Sequence, residues 1–363
     1  MVVCLMKAIV VGAGISGLIA SKELSSLGAN VYLIEEHKKI GLPTHCGGLV
    51  APNFWQKLGI PKKKNLVLNE YSGISFSDGH HTFTLRTRKP FLFAISRILL
   101  DQYVGDLAEK KGTKILAGER IKKVFLYKGG VKALSSSGNV FESDVAFIAD
   151  GLFGQISNKI FPKKGKSLLL ASQAVFRHSL EPSFPLVLLR KDFSEDFFAY
   201  IAPLNDEFAR VGVASAKPIA SLVIKKLVKA YNLKQVEPSK HWGIWIGGPT
   251  SKVSFYDKLF LLGDAAGFTK ATTGGGIVFG SILSRLLSKY VASSNEAEKK
   301  LAKERVNYLK KNLEFMLIIR KTLNFFGPSF YYPLLNKIAN LRGIEKVVET
   351  LDYDFLFDTS LFS

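Results

Sequence analysis

The sequence predicts an α/β fold: a discontinuous Rossmann-type dinucleotide-binding domain, an antiparallel β-sheet substrate domain set into it, and a C-terminal helical region. Three observations carry this prediction. The apolar run Lys7–Val11 ends at a glycine-rich turn and gives way to helical periodicity. Near the other end of the chain a second apolar run delivers Gly263 and Asp264. Between them many apolar residues alternate with polar ones at a period of two, the pattern of antiparallel sheet.

Taken in order, Lys7–Val11 is short and β-branched, as a buried strand requires. Ser16 to Gly28 has helical spacing and a glycine stop, and Asn30–Glu35 is a second buried strand. Strand, glycine turn, helix and strand form the βαβ context that a dinucleotide fingerprint needs. The runs beginning at Gly73, His81 and Lys123 read as strands, Asp101 to Lys111 as a helix, and Val145–Asp150 as a buried strand leading to Gly151. Alternating segments from Ser167 to Trp245 read as a separate antiparallel platform, and Leu259–Asp264 returns to the parallel-strand pattern. Beyond Gly276 the chain reads as helix, with a charged stretch from Glu296 to Lys311 and an aromatic one from Phe315 to Tyr332. The expected domains are therefore 1–60, 92–165 and 250–292 for the dinucleotide, 61–91 and 166–249 for the substrate, and 293–363 for the helical region.

A chain of 363 residues can bury a core of this size, and 47% hydrophobic against 22% charged residues excludes intrinsic disorder. Its two cysteines, Cys4 and Cys46, offer neither a disulfide framework nor a CxxC pair, so no metal is expected and a reducing, cytoplasmic setting is the simplest reading. The first apolar run leads into the glycine motif rather than a cleavage site, and no uncharged apolar run reaches the length of a spanning helix. The net charge of +20 fits either a solvated surface or attraction to something acidic, such as phospholipid headgroups, a phosphorylated lipid or an acidic electron carrier. With no recognition motif beside the charge, nucleic acid is not expected as a partner.

Gly12, Gly14 and Gly17 have the fingerprint spacing, with Ile15 and Ser16 opening the helix. Gly12 permits the turn, Gly14 admits a pyrophosphate and Gly17 lets helix pack on strand. Glu35, with Glu36 beside it, ends the second strand where a carboxylate can accept from ribose hydroxyls. NAD and FAD share this motif, and the second one decides for FAD. Gly263-Asp264-Ala265-Ala266-Gly267 offers a carboxylate to a ribityl chain, and Gly274-Gly275-Gly276-Ile277 opens a helix whose N–H groups would face the pyrimidine edge of a flavin.

On these motifs the chain resembles the FAD-dependent oxidoreductases of the aromatic-hydroxylase fold, and within them the geranylgeranyl reductases of archaea and photosynthetic organisms. The resemblance rests also on His45-Cys46-Gly47-Gly48-Leu49, on Arg97 with Leu100-Asp101, and on Ala149-Asp150-Gly151; the Cys-Gly-Gly element is its most specific part. It implies that Arg97 lies along the FAD, that Asp150 and Gly151 lie by its nucleotide half, and that Cys46, Gly47 and Gly48 lie near the flavin's reactive face. Where the family carries Tyr-x-Trp-x-Phe-Pro, this chain has Phe198-Ala199-Tyr200-Ile201-Ala202-Pro203, a changed cavity wall that bears on the substrate rather than on the flavin.

The implied activity is reduction of carbon–carbon double bonds in an isoprenoid lipid. The alternatives are a flavin monooxygenase acting on an apolar substrate and a non-catalytic lipid-binding flavoprotein. Candidate catalytic residues are Cys46, His45 and Tyr200; each also has a plain structural reading, as a small buried side chain, a hydrogen-bonding loop residue and a wall residue. With only one dinucleotide motif, electrons would come from a docked NAD(P)H or an acidic carrier such as ferredoxin. The aromatic segment Phe325–Tyr332 reads as core, as a prenyl tunnel or as a peripheral membrane contact.

Overall fold

The computed structural model describes residues 6–178, 184–190, 192–194, 197–350, 352, 354 and 355; Cys4 lies outside them, as do the side chains of Phe330 and Tyr331. Its helices are α1 (Ile15–Ser26), α2 (Phe54–Leu58), α3 (Arg97–Lys110), α4 (Ser157–Ile160), α5 (Ala220–Ala230), α6 (Ile277–Ala292), α7 (Glu296–Phe326), α8 (Pro328–Ala339) and α9 (Ile344–Thr350).

The βαβ unit nucleates a six-stranded sheet. Its order is Ser254–Phe255, Leu259–Leu261, Val145–Ile148, Lys7–Val11, Asn30–Glu35 and Lys114–Ala117, parallel throughout except at the Ser254–Phe255 edge. Ile9, Val10, Phe147 and Phe260 are fully buried, so these strands are apolar on both faces, as parallel strands covered by helices must be. Helix α1 packs against α3 and α6. The contact with α6 uses a small-residue stripe: Ser284 Oγ donates to the Ser16 carbonyl (2.8 Å) and Ser288 Oγ to that of Ala20 (3.4 Å). A Cβ on Gly280 would fall 2.4 Å from Ser16 Oγ and 3.1 Å from the Gly263 Cα, so the absence of a side chain there favours this close approach. The stripe ties the two glycine motifs, far apart in sequence, into one place.

The second layer is an eight-stranded sheet built from two separate stretches of chain. Leu168–Arg177, Phe208–Ser215, Ala199–Pro203 and Leu186–Leu188 run antiparallel in that order, and Lys234–Gln235 and Lys240–Trp245 both pair with Leu168–Arg177. Leu186–Leu188 then pairs in parallel with Gly73–Ser77, which continues antiparallel to Thr82–Arg86. The one parallel pairing marks where the two stretches meet. A small sheet of Leu49–Val50, Leu92–Ile95 and Val67–Tyr71 and a three-stranded meander, Ile121–Tyr127, Gly130–Ser135 and Val140–Ser143, complete the β structure of the described residues.

Two elements differ from the sequence reading. The region from Ser167 to Trp245 is not sheet throughout: α5 lies within it, and its Val223, Ile224 and Leu227 pack on Phe176, Ile201 and Val211. Apolar residues at 220, 223, 224 and 227 follow the helical spacing that the surrounding alternation hides. The helix expected from Asp101 begins at Arg97, because Ser96 Oγ caps it by accepting from the Leu99 N–H.

At the C-terminal end, α7 packs on α6 through Leu309, Leu313 and Met316, and α8 lies by Thr82–Arg86. Asp354, buried, pairs with Lys57 (2.8 Å) and Lys270 (2.9 Å). Among the described residues no helix is long and apolar enough to cross a membrane.

Candidate functional site

The site begins at the glycine turn. Gly12 has φ +97°, and a Cβ there would meet the Ala149 carbonyl at 2.4 Å, so the first strand can turn beneath its neighbour only with glycine. A Cβ on Gly17 would fall 2.0 Å from the Gly12 carbonyl. Gly14 is different: nothing lies within 4 Å of a Cβ built on it, so its face opens onto unfilled space at the start of α1. Gly14 caps α1 with no side-chain hydrogen bond, which leaves the first N–H groups of the helix available to an anion. Ile15 and Ser16 are buried in the first turn.

Glu35 is buried at the end of its strand, where Oε2 accepts from the Ala13 N–H (2.6 Å) and Oε1 from the His37 N–H (2.9 Å). Its carboxylate is therefore fixed beside the glycine turn. Glu36 instead pairs with Arg120, 3.3 Å away at the surface.

From the other end of the chain, Leu259–Leu261 delivers Gly263, whose φ of +53° and closeness to Ser16 Oγ (2.4 Å from a built Cβ) place the turn against α1. Asp264 Oδ1 accepts from Thr269 Oγ1 (3.1 Å) and lies 3.0 Å from where a Cβ on Gly276 would be. Gly267, also left-handed, closes the turn. The loop back to α6 is held by Lys270 N–H to the Gly275 carbonyl (3.0 Å) and Gly274 N–H to the Lys270 carbonyl (2.8 Å). Gly276 caps α6 without a side-chain bond, and Ile277 begins it. Two uncapped helix N-termini thus flank one carboxylate.

Asp150 follows the strand beside Lys7–Val11. Its Oδ2 accepts from the Ile156 and Ser157 N–H groups (3.0 and 3.1 Å), while Oδ1 is buried without a partner. Gly151, at φ +76°, has open space where its Cβ would stand.

Pairing of Leu49–Val50 with Leu92–Ile95, plus the Ile95 N–H to the Gly48 carbonyl (2.8 Å), sets the Cys46-Gly47-Gly48 segment beside the start of α3. There Arg97 makes a bidentate pair with Asp101 (Nη2 to Oδ1 and Oδ2, 3.1 and 3.0 Å) and lies near the Cys46 thiol, which adds to its electrostatic environment. Burial alone would lower the Arg97 pKa, but Asp101 and Cys46 outweigh it and hold the guanidinium charged. The Gly48 N–H donates to Cys46 Sγ (3.2 Å).

On the facing sheet, Arg210 Nη1 donates to the Gly47 carbonyl (2.5 Å). Tyr200 donates to Gln173 Oε1 (2.5 Å), and its ring lies across Gly212, where a Cβ would meet it at 2.5 Å. Tyr200 also lies 2.9 Å, at its hydroxyl, from a Cβ built on Gly47. Burial pushes the Tyr200 phenol well above its ordinary range, with Arg210 opposing, so it stays protonated. His45 is exposed and stacks on Trp242 (6.2 Å, 9° between planes), with its pKa lowered by partial burial and by His37 and Lys240. Among the three candidate catalysts, then, the structure brings Cys46 and Tyr200 to the same segment and leaves His45 at its rim.

Three residues of this region carry no motif: Arg210, Gln173 and Lys163. Arg210 was detectable as the one charge inside the apolar alternation Ala209–Ser215. Lys163 is buried, and burial lowers its pKa to about 8 against the pull of Asp150 and Asp264. Among the described residues no His, Cys, Asp and Glu cluster could hold a metal.

Open space at Gly14 and Gly151, an unpaired buried oxygen on Asp150 and two uncapped helix ends fit a dinucleotide with an anionic pyrophosphate. Comparison with known proteins agrees. Residues 10–56 match the NAD(P)-binding Rossmann-like domain family. The chain is 27% identical over 337 residues to the digeranylgeranylglycerophospholipid reductase of Methanocaldococcus jannaschii, covering 85% of this chain and 83% of that one. The reductase of the same name from Methanococcus vannielii is 25% identical over 339 residues, with 85% and 83% covered. Among solved structures, a geranylgeranyl bacteriochlorophyll reductase-like protein of Thermoplasma acidophilum superposes with a TM-score of 0.82 at 15% identity, over 99% of this chain and 94% of that one. A flavin-dependent brominase shares the fold more loosely, with a TM-score of 0.67 at 15% identity over 94% and 97%. With a Cys-Gly-Gly segment set between the dinucleotide cradle and an antiparallel wall, this chain is similar over most of its length to digeranylgeranylglycerophospholipid reductases and shares the fold of a geranylgeranyl bacteriochlorophyll reductase-like protein.

Proposed function

We propose that this enzyme is an FAD-dependent reductase that saturates carbon–carbon double bonds of an isoprenoid, geranylgeranyl-type lipid. The observation that carries the reading is the Cys46-Gly47-Gly48 segment, gripped by Arg97 from the dinucleotide layer and by Arg210 from the antiparallel wall. When bound and reduced, FAD would supply the hydride for one alkene carbon and be left oxidised. Gly12, Gly14, Ile15, Ser16, Gly17 and the α1 N-terminus would hold its pyrophosphate, Glu35 its adenosine ribose, and Asp150, Gly151, Asp264 and the α6 N-terminus the rest of the dinucleotide.

The chain itself must deliver the matching proton. Cys46 Sγ–H is the group we assign to it: the thiolate left after transfer would keep the Gly48 N–H as a donor already in place and have the positive Arg97 guanidinium nearby. Tyr200, its hydroxyl committed to Gln173, shapes the wall and keeps water from the alkene. Electrons would reach the flavin from NAD(P)H or from an acidic carrier protein, and a net charge of +20 favours the carrier. We place the dinucleotide domain at 1–60, 92–165 and 250–292, with the substrate domain formed by 61–91 and 166–249.

The test is anaerobic. Protein reduced with dithionite should be reoxidised on addition of a geranylgeranyl lipid, with the lipid gaining two hydrogens per double bond in its mass spectrum. Reoxidation only when oxygen enters, with a hydroxylated product, would instead make the enzyme a monooxygenase.

A further inference from the structure

We infer that the outer face of the second half of α7, together with α8 and the turn after it, is a docking surface for an anionic lipid bilayer. The inference rests on the reading of the substrate as a bilayer lipid, but its test does not depend on turnover.

Helix α7 has two apolar stripes where one would suffice. Its inner stripe, Leu309, Leu313 and Met316, is buried against the body of the protein. Ile318 and Phe325, seven residues apart and therefore on one face, point the other way and are 58% and 85% exposed. Helix α8 packs on α7 and adds Leu335 and Ile338, and Leu341 follows at 58% exposure. Single exposed apolar residues need no explanation, but a run of them across two packed helices does.

Charge selects the occupant. From 310 to 342 the chain carries Lys310, Lys311, Arg320, Lys321, Lys337 and Arg342 against the single acid Glu314. Lys321, Lys337 and Arg342 are exposed alongside the apolar residues. A second copy of this chain would bring the same basic surface against itself on a molecule already at +20, whereas anionic headgroups complement it. Large apolar side chains flanked by lysine and arginine are how a helix lies in a membrane interface.

The surface also lies near the site. On the inner side of the same helix, Arg320 Nη1 donates to the Ala271 carbonyl (3.2 Å) and its guanidinium sits 4.8 Å from the Phe197 ring centroid. Ala271 begins the loop to Gly274–Gly276, and Phe197 adjoins the wall strand that carries Tyr200. One helix thickness, about 10 Å, therefore separates the bilayer face from the loop and wall of the flavin site.

The experiment is co-sedimentation of the oxidised, FAD-loaded protein with phosphatidylglycerol/phosphatidylcholine vesicles, without substrate. The wild type should bind, and binding should weaken in high salt. The Ile318→Ser/Phe325→Ser/Leu341→Ser variant should bind at least tenfold more weakly while keeping its flavin spectrum and its turnover of a detergent-dispersed short isoprenoid. A Lys321→Glu/Lys337→Glu variant, altered only at exposed positions, should lose the preference for anionic over neutral vesicles. Absence of wild-type binding overturns the proposal, as does equal binding by the triple variant, or a solution dimer that the triple variant abolishes. Vesicle binding as described without lipid reduction would sink the proposed activity and leave the docking surface standing.

Discussion

Arg97 and Arg210 grip the same three-residue segment from two different layers of the molecule. Arg97, on α3, lies near the Cys46 thiol, and Arg210, on the antiparallel wall, donates to the Gly47 carbonyl at 2.5 Å. Gly48 completes the segment at φ +65°, where a Cβ would meet both the Ile95 carbonyl (2.6 Å) and Arg210 (2.7 Å). The segment is thus fixed by both layers at once, and a shift of either is felt at the thiol.

Replacing Arg210 by Met should therefore act on the reaction more than on the cofactor. It strips a charged donor from a backbone carbonyl, a loss of about 1–3 kcal/mol, which corresponds to roughly a 5- to 150-fold fall in kcat if that geometry matters only at the reacting atoms. FAD affinity should stay within about threefold. Titrating FAD into the apoprotein and measuring kcat and KM separately checks this; loss of the flavin instead would mean that the wall holds the cofactor.

Gly14 and Gly17 separate binding from folding. A side chain at Gly14 meets nothing in the protein, so Gly14→Val should fold, with a urea midpoint lowered only by the poorer N-cap, and yet lose visible FAD absorbance. At Gly17 a Cβ falls 2.0 Å from the Gly12 carbonyl, so Gly17→Ala should cost stability, of order 1–3 kcal/mol. If Gly14→Val still binds FAD as tightly as the wild type, the open face at Gly14 is not where the dinucleotide lies.

Much of this architecture is legible in the sequence because glycine motifs and buried strands are local signals. Gly12, Gly14 and Gly17 announce their turn by spacing, and Leu259–Asp264 by apolar run and terminal acid. What is not legible is set by pairing across the chain. That Arg210 meets Gly47 follows from the register of Ala199–Pro203 against Phe208–Ser215 and from how that sheet faces the Cys-Gly-Gly loop, and neither leaves a mark near residue 210. Gly212 explains itself only when the Tyr200 ring is seen lying across it. Helix α5 is hidden for a different reason: its four buried apolar residues are outnumbered by the alternating strands on either side.

Cys46 and Tyr200 can be told apart as proton sources. Cys46→Ala removes the thiol that Arg97 and Gly48 attend, and should slow substrate-driven flavin reoxidation about 100-fold or more. Tyr200→Phe removes a hydroxyl already spent on Gln173 and should slow it less than about tenfold. Single-turnover stopped-flow in H2O and D2O reads both, and the reverse ranking would make the phenol the acid.

Lys163 gives the stability of the apoprotein a distinctive pH dependence. The side chain is 7% exposed, and burial lowers its pKa to about 8, with Asp150 and Asp264 only partly opposing. In the unfolded chain a lysine titrates near 10.4, so between about pH 8 and pH 10.4 the unfolded state binds more protons than the folded one. Stability should therefore rise with pH across that window as far as this residue is concerned, the full penalty being present below pH 8. At about 1.4 kcal/mol per pH unit the penalty is at most about 3 kcal/mol. Lys163→Met removes the ammonium while keeping an unbranched apolar side chain, so it should be more stable than the wild type at pH 7, with the difference shrinking toward pH 10. Urea midpoints of both proteins at pH 7, 8.5 and 10 read this directly; a difference that stays constant with pH would show that Lys163 is as charged in the fold as in the unfolded chain over that whole range.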